Sequence, residues 1–143
     1  MQRLHQILRN RDLYYVEAHQ TVLEVTRRMA EFRVGAILVL NRGELRGIFS
    51  ERDLMTRVVV PGLDPARVMV EEVMTTNPVT IDETASADEA VSRMQQCSCR
   101  HLPVLRLGEA VVGLISMRDL MALELEEREE EIQHMRAYIS GAA

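Results

Sequence analysis

GIFSERDLM at 47–55 recurs as GLISMRDLM at 113–121, with the Gly, Ser, Arg, Asp, Leu and Met identical at matching places. Ser50 and Ser116 stand 66 residues apart, and the likeness continues toward the N-terminus. TVLEVTRRM (21–29) aligns with SADEAVSRM (86–94) at an offset of 65. LHQIL (4–8) aligns in pattern with VEEVM (70–74) at an offset of 66. A one-residue difference in the turn between AILVL (36–40) and GIFS accounts for the change from 65 to 66. Three blocks in the same order at one spacing make a duplication, so the fold must be two copies of one plan.

Each copy reads strand–helix–strand–strand–helix. LYYV (13–16) and PVTI (78–81) are short apolar entry strands. Thr21-x-x-Glu24 and Ser86-x-x-Glu89 spell capping boxes. Behind them Val22, Val25, Met29 and Phe32, and then Ala87, Ala90, Met94 and Cys97, line one helical face. AILVL (36–40) and LPVL (102–105) are continuously apolar and short, as buried strands are. Turns with a Gly near 41–44 and 107–109 lead into second strands ending GIF and GLI. The second helices start at Ser50 and Ser116. Asp64-Pro65 predicts a short linker helix, with Asp as N-cap and Pro at the first helical position. Beyond Asp119 the pattern stays helical to about Tyr138. An acidic run (124–131) and an apolar stripe of Ile132, Met135 and Ile139 suit either a solvated face or a helix packed on a partner subunit.

Composition narrows the functional classes. A formal net charge of −5 argues against broad binding to nucleic acid or to an anionic membrane. No apolar run approaches the ~18 residues of a spanning helix, and MQRLHQILRNRDLYY lacks a signal-peptide h-region, so the expected location is cytoplasmic. Neither a Walker nor a Gly-x-Gly-x-x-Gly motif is present, and no nucleophile–base–acid set assembles. Cys97-x-Cys99-x-His101 lacks metal-site spacing, so both cysteines are expected to be small buried hydrophobes. His5, His19 and His134 are expected to face solvent.

Two readings of Ser50-x-x-Asp53 and Ser116-x-x-Asp119 stand side by side. As caps they stabilise a helix start by about 1 kcal/mol. As ligand groups they sit where unpaired N–H groups and partial positive charge attract an anion. The hydroxyls of Ser50 and Ser116 can donate to phosphate, Arg52 and Arg118 supply charge, and Asp53 and Asp119 can accept from a ribose diol.

Two such units, each closing on Gly-h-h-Ser-x-x-Asp (h apolar), resemble a tandem pair of CBS domains, the family named for cystathionine β-synthase. RHLPVL (100–105) is typical of the family's second unit. The resemblance covers roughly residues 1–123 and extends to small bacterial stand-alone pairs with a charged C-terminal helix and a YISG-like close. It implies an α/β (α+β) fold of two tandem β-α-β-β-α units related by a pseudo-twofold axis. Residues 1–62 would be the first unit, 63–123 the linker helix and second unit, and 124–143 the acidic helix. It implies a non-catalytic regulatory module, a homodimer that binds AMP, ADP, ATP or NAD(H) and reports energy or redox state to an effector protein. It requires no metal and no catalytic cofactor, and it implies neither nucleic-acid nor membrane partners. The alternative is a structural homodimerisation scaffold without ligand.

In such pairs each Asp completes a cleft with the other unit. Ser50, Arg52 and Asp53 would then face Asn77, Val79, Cys99 and Arg100, with backbone near Asn77 and Val79 reading an adenine edge and Arg100 approaching the phosphate. Ser116, Arg118 and Asp119 would face Tyr14, Tyr15 and Val34, in a cleft without that extra basic group. Unequal affinities are the expectation.

Overall fold

The computed structural model describes residues 2–141. A short helix α1 (Leu4–Leu8) precedes β1 (Tyr15–Glu17), α2 (Val22–Phe32), β2 (Ala36–Asn41) and β3 (Glu44–Ser50). A short α3 (Glu51–Asp53) continues as a π-helical segment (Leu54–Val59). The second copy runs α4 (Val70–Val73), β4 (Thr75–Thr76), β5 (Ile81–Asp82), α5 (Ala87–Cys97), β6 (His101–Arg106), β7 (Ala110–Ser116) and α6 (Met117–Ile139). The result is a mixed α+β molecule of two like units with a long C-terminal helix.

Each unit is built on a buried hairpin beside a parallel entry strand. The first sheet has the order β1-β2-β3-β4 and the second β5-β6-β7. Val16 pairs with Val39 as Ile81 pairs with Val104, and both β1 and β5 run parallel to the strand they join. Arg42 and Gly43, at φ 52° and 80°, make a two-residue turn between β2 and β3. Positive φ at both positions matches the twist of the flanking strands. Three residues, Leu107-Gly108-Glu109, join β6 to β7. That added residue shifts the repeat from 65 to 66: Val39 faces Gly47 where Val104 faces Gly113.

The cores exchange segments. Val70, Val73 and Met74, from the middle of the chain, pack with Val16, Val25, Ile37 and Phe49 of the first unit. Leu4 and Leu8, from the start, pack with Ile81, Met94, Leu102 and Ile115 of the second. Backbone hydrogen bonds repeat the exchange: the Val70 N–H donates to the Gln20 carbonyl as the Leu4 N–H donates to that of Ala85. β4 adds an antiparallel edge to β3. Residues 70–76 therefore belong to the first sheet and core, although a boundary at 62 would assign them to the second unit.

Several local expectations are corrected. Asp64 and Pro65 open a single capped turn, in which Asp64 Oδ1 accepts from the Ala66 N–H, and no linker helix follows until α4. The second helix of the first unit is α-helical for three residues only, after which Val60 N–H bonds Met55 C=O and Leu63 N–H bonds Val58 C=O, both five residues back. The entry strand of the second unit begins at Ile81, after Pro78, whose ring offers no N–H to a ladder. The reciprocal capping boxes also fall elsewhere than expected. Thr21 and Ser86 only accept from Glu24 and Glu89 N–H, whereas Ser50–Asp53 and Ser116–Asp119 close in both directions. The shorter Asp side chain stays over its own turn, while Glu24 reaches back to Gln20.

Candidate functional site

A cleft of about 850 Å³ lies between the two units. That volume falls within the usual range for small-molecule sites, ~300–1,000 Å³. Its walls come from three places: the segment Asn10–Tyr14 ahead of β1, the turn Arg33–Ala36 into β2, and the second unit from Arg100–His101 to the start of α6.

The α6 N-terminus supplies Ser116, Arg118 and Asp119. Ser116 N–H donates to Asp119 Oδ2 at 2.9 Å, and Asp119 N–H donates to Ser116 Oγ at 3.1 Å. The Met117 N–H donates to the Arg100 carbonyl at 2.9 Å, which ties the start of β6 to this same helix end. A helix of 23 residues brings its partial positive charge to this wall. Across the cleft, Arg11 Nη1 stands 3.1 Å from Asp119 Oδ2. Burial pushes the Asp119 carboxyl up, but the Arg11 hydrogen bond and charge together with Ser116 outweigh it and hold the group below its ordinary value. Burial likewise holds the His101 imidazole below its ordinary value, against the upward pull of Asp119 and Glu51.

Five of the expected residues meet here: Ser116, Arg118, Asp119, Tyr14 and Val34. Tyr14 is stacked on Phe32 with ring centroids 4.2 Å apart, so its ring is held in place beside the cleft. Tyr15 is not among the lining residues; it sits in β1 opposite Leu38. Arg100 changes sides. It lines the Asp119 cleft, and the Met117 N–H bonded to its carbonyl ties its backbone to the start of α6. The idea that this cleft lacks an extra basic group is therefore reversed.

The Ser50–Asp53 end is built differently. Asp53 accepts from the Ser50 N–H at 3.0 Å and its hydroxyl at 3.1 Å, and from the Thr75 hydroxyl at 3.3 Å. Arg57 Nε adds an ion pair at 3.6 Å. The Asp53 side chain is 11% exposed, against 24% for Asp119. Asp53 thus spends its acceptor capacity inside the protein. Asn77, at φ 46°, and Val79 are exposed just past the Thr75 that covers Asp53. Arg52 is exposed and makes no ion pair or side-chain hydrogen bond among the described residues. Cys97 and Cys99 are partly buried and pack on the second core, with their sulfurs side by side.

The sequence reading missed Arg11, Arg33, Asp12, Glu51 and His101 as cleft residues. A signal for Arg33 existed. It is the left-handed C-cap of α2, the counterpart of Ser98 on α5, one residue before Val34. Arg11 precedes every regular element of the first sheet, and no pattern marks it.

The family model for the CBS domain matches twice, at residues 6–60 and 70–126. Among curated proteins, the chain is 41% identical over 95 residues to a CBS domain-containing protein of Arabidopsis thaliana, covering 66% of this chain and 18% of that one. It is 30% identical over 126 residues to a mitochondrial CBS domain-containing protein of the same plant, covering 85% of this chain and 61% of that one. The chain thus spans less than two thirds of these relatives. Among solved structures, a protein of Burkholderia ambifaria described as signal-transducing, with CBS domains, is 34% identical with a TM-score of 0.78, over 84% of this chain and 91% of that one. A CBS domain protein of Pyrobaculum aerophilum complexed with AMP is 26% identical with a TM-score of 0.76, over 82% and 89%. No helix among the described residues is long and apolar enough to cross a membrane.

Proposed function

The chain belongs to the CBS-domain family, carrying two CBS domains in tandem, and from that premise we propose a regulatory, non-catalytic module that binds one adenosine nucleotide in the Asp119 cleft. The observation that carries this reading is the cleft itself, where a helix N-terminus, a partly exposed carboxylate and several arginines meet between the two units. Asp119 would release Arg11 and accept from the ribose diol, with Ser116 and the α6 N-terminus beside the phosphate. The similar Pyrobaculum aerophilum protein, complexed with AMP, supports an adenosine compound over other ligands. NAD(H) remains within this class, and the energy or redox state is what such a module would report, in the cytoplasm, to an effector protein.

A homodimer fits the same reading. Met55 and Met121 occupy equivalent places in the repeat and are 54% and 59% exposed. Val59 and Leu125, again equivalent and four residues further on, are exposed as well. A ligand that changes the angle between the units would move these residues relative to one another. The second reading, a homodimerisation scaffold, is favoured at the Ser50 end, where Asp53 is consumed by internal contacts.

Thermal unfolding with AMP, ATP and NADH separates the two. The nucleotide reading expects a raised Tm in the wild-type protein that Asp119→Ala abolishes and Asp53→Asn leaves in place. If none of the three compounds moves the Tm, the scaffold reading replaces it.

A further inference from the structure

We infer that the Asp119 cleft selects nucleotides carrying a di- or triphosphate chain over nucleoside monophosphates. This rests on the nucleotide reading above and adds to it the class of ligand.

Arg33, Arg100 and Arg118 all line the cleft. They come from three separate elements: the C-cap of α2, the start of β6 and the first turn of α6. Elsewhere in the described residues, Arg3, Arg57, Arg93, Arg106 and Arg128 donate to a carbonyl or carboxylate, while Arg9, Arg27, Arg42, Arg52 and Arg136, all outside the cleft, have no side-chain partner. The guanidiniums of Arg33, Arg100 and Arg118 have neither an ion-pair partner nor a hydrogen-bond acceptor among the described residues. Three uncommitted planar forks around one space provide far more donors than a single phosphate can accept.

Charge points the same way. The cleft holds four arginines, Arg11, Arg33, Arg100 and Arg118, against three carboxylates, Asp12, Glu51 and Asp119. A local excess of positive charge therefore stands within a chain of formal net charge −5. Nucleoside binding would increase it further. Once a ribose diol occupies the Asp119 oxygens, Arg11 loses its 3.1 Å partner and becomes a fourth free cation. One phosphate, met by the α6 N-terminus and a single fork, leaves the other arginines unused. A second and third phosphate supply the acceptors they lack, through charge-assisted hydrogen bonds.

Calorimetry on the full chain with adenosine, AMP, ADP, ATP and inorganic tripolyphosphate, in one buffer at fixed ionic strength, tests this. The expected result is a rising series in which ATP binds at least about tenfold tighter than AMP, the size of one or more added charge-assisted contacts. In the doubly substituted Arg33→Gln, Arg100→Gln protein the ATP-to-AMP ratio falls toward one. Arg67→Gln, an exposed arginine outside the cleft, keeps the wild-type ratio. Because the readout is a ratio between ligands, a general loss of folded protein scales all of them and does not imitate the effect. AMP binding as tightly as ATP, or a ratio that survives the double substitution, overturns the inference. Tripolyphosphate binding as tightly as ATP while adenosine and AMP bind nothing would instead sink the nucleoside reading and leave the arginine cluster as a polyphosphate site.

Discussion

Arg11 holds the Asp119 carboxylate at 3.1 Å, joining the segment ahead of the first strand to the first turn of the last helix. Both side chains are partly exposed, so the pair contributes roughly 0.5–1 kcal/mol after solvent screening. The Asp119 carboxyl titrates below its ordinary value of 3.8 in the folded protein. Its contribution is therefore complete above that ordinary value and disappears as pH falls through the lower folded value. Arg11→Ala should unfold at lower urea than the wild type at pH 7, and the gap should close in strong acid. A gap that persists there would assign the effect to lost packing.

Asp53 and Asp119 should respond in opposite ways to truncation. Asp53→Ala leaves the Ser50 N–H and the Thr75 hydroxyl without their acceptor and removes the ion pair to Arg57, whose other donor still meets the Met74 carbonyl. We expect about 2–3 kcal/mol of destabilisation from the combined loss of cap and buried hydrogen bonds. Asp119→Ala should lose about 1 kcal/mol. Urea denaturation of both variants gives the comparison, and equal losses would contradict the difference in burial.

His101 adds a pH dependence of its own. Burial lowers its pKa from the ordinary 6.5, so the unfolded chain binds a proton more readily than the folded one. Stability from this source is complete above 6.5 and is lost as pH falls through that value toward the folded one. Melting temperatures from pH 8 to pH 5 should fall less steeply in His101→Gln than in the wild type.

Gly47 touches the edge strand more closely than its counterpart touches anything rigid. A Cβ at Gly47 would lie 2.4 Å from the Thr75 carbonyl oxygen, while at Gly113 it would meet the flexible end of Leu8 at 2.8 Å. Gly47→Ala must push β4 away from β3, whereas Leu8 can adopt another rotamer. Calorimetric unfolding should show Gly47→Ala losing about 1–3 kcal/mol, and Gly113→Ala less.

Thr26, on α2, has a buried hydroxyl with no partner among the described residues. Thr26→Val keeps the shape and removes the unsatisfied group, so stability should rise by about 1 kcal/mol. A lower denaturation midpoint for this variant would place a hydrogen-bond partner on the hydroxyl.

Much of the fold was legible in the residues because its determinants are local. The repeat of GIFSERDLM as GLISMRDLM, the apolar faces of α2 and α5, and the Gly-containing turns all act within a few residues of themselves. They fixed two like units, the order of their elements and the helix starts at Ser50 and Ser116. The π-helical continuation after Asp53 escaped, because GIFSERDLM and GLISMRDLM are nearly alike while their second helices end in different surroundings.

What the residues could not announce was which partner each segment would meet across the molecule. Leu4 and Val70 look alike in pattern, yet each packs into the unit that its position in the chain does not suggest. The same holds for the two aspartates. Their motifs match, but Thr75 and Arg57 close over one, and only Arg11 covers the other. Ser-x-x-Asp is a short-range signal, set by one helical turn and readable anywhere. Whether that turn is a finished cap or the wall of a cleft depends on side chains brought from 22 and 108 residues away, and only tertiary packing decides which of them arrive.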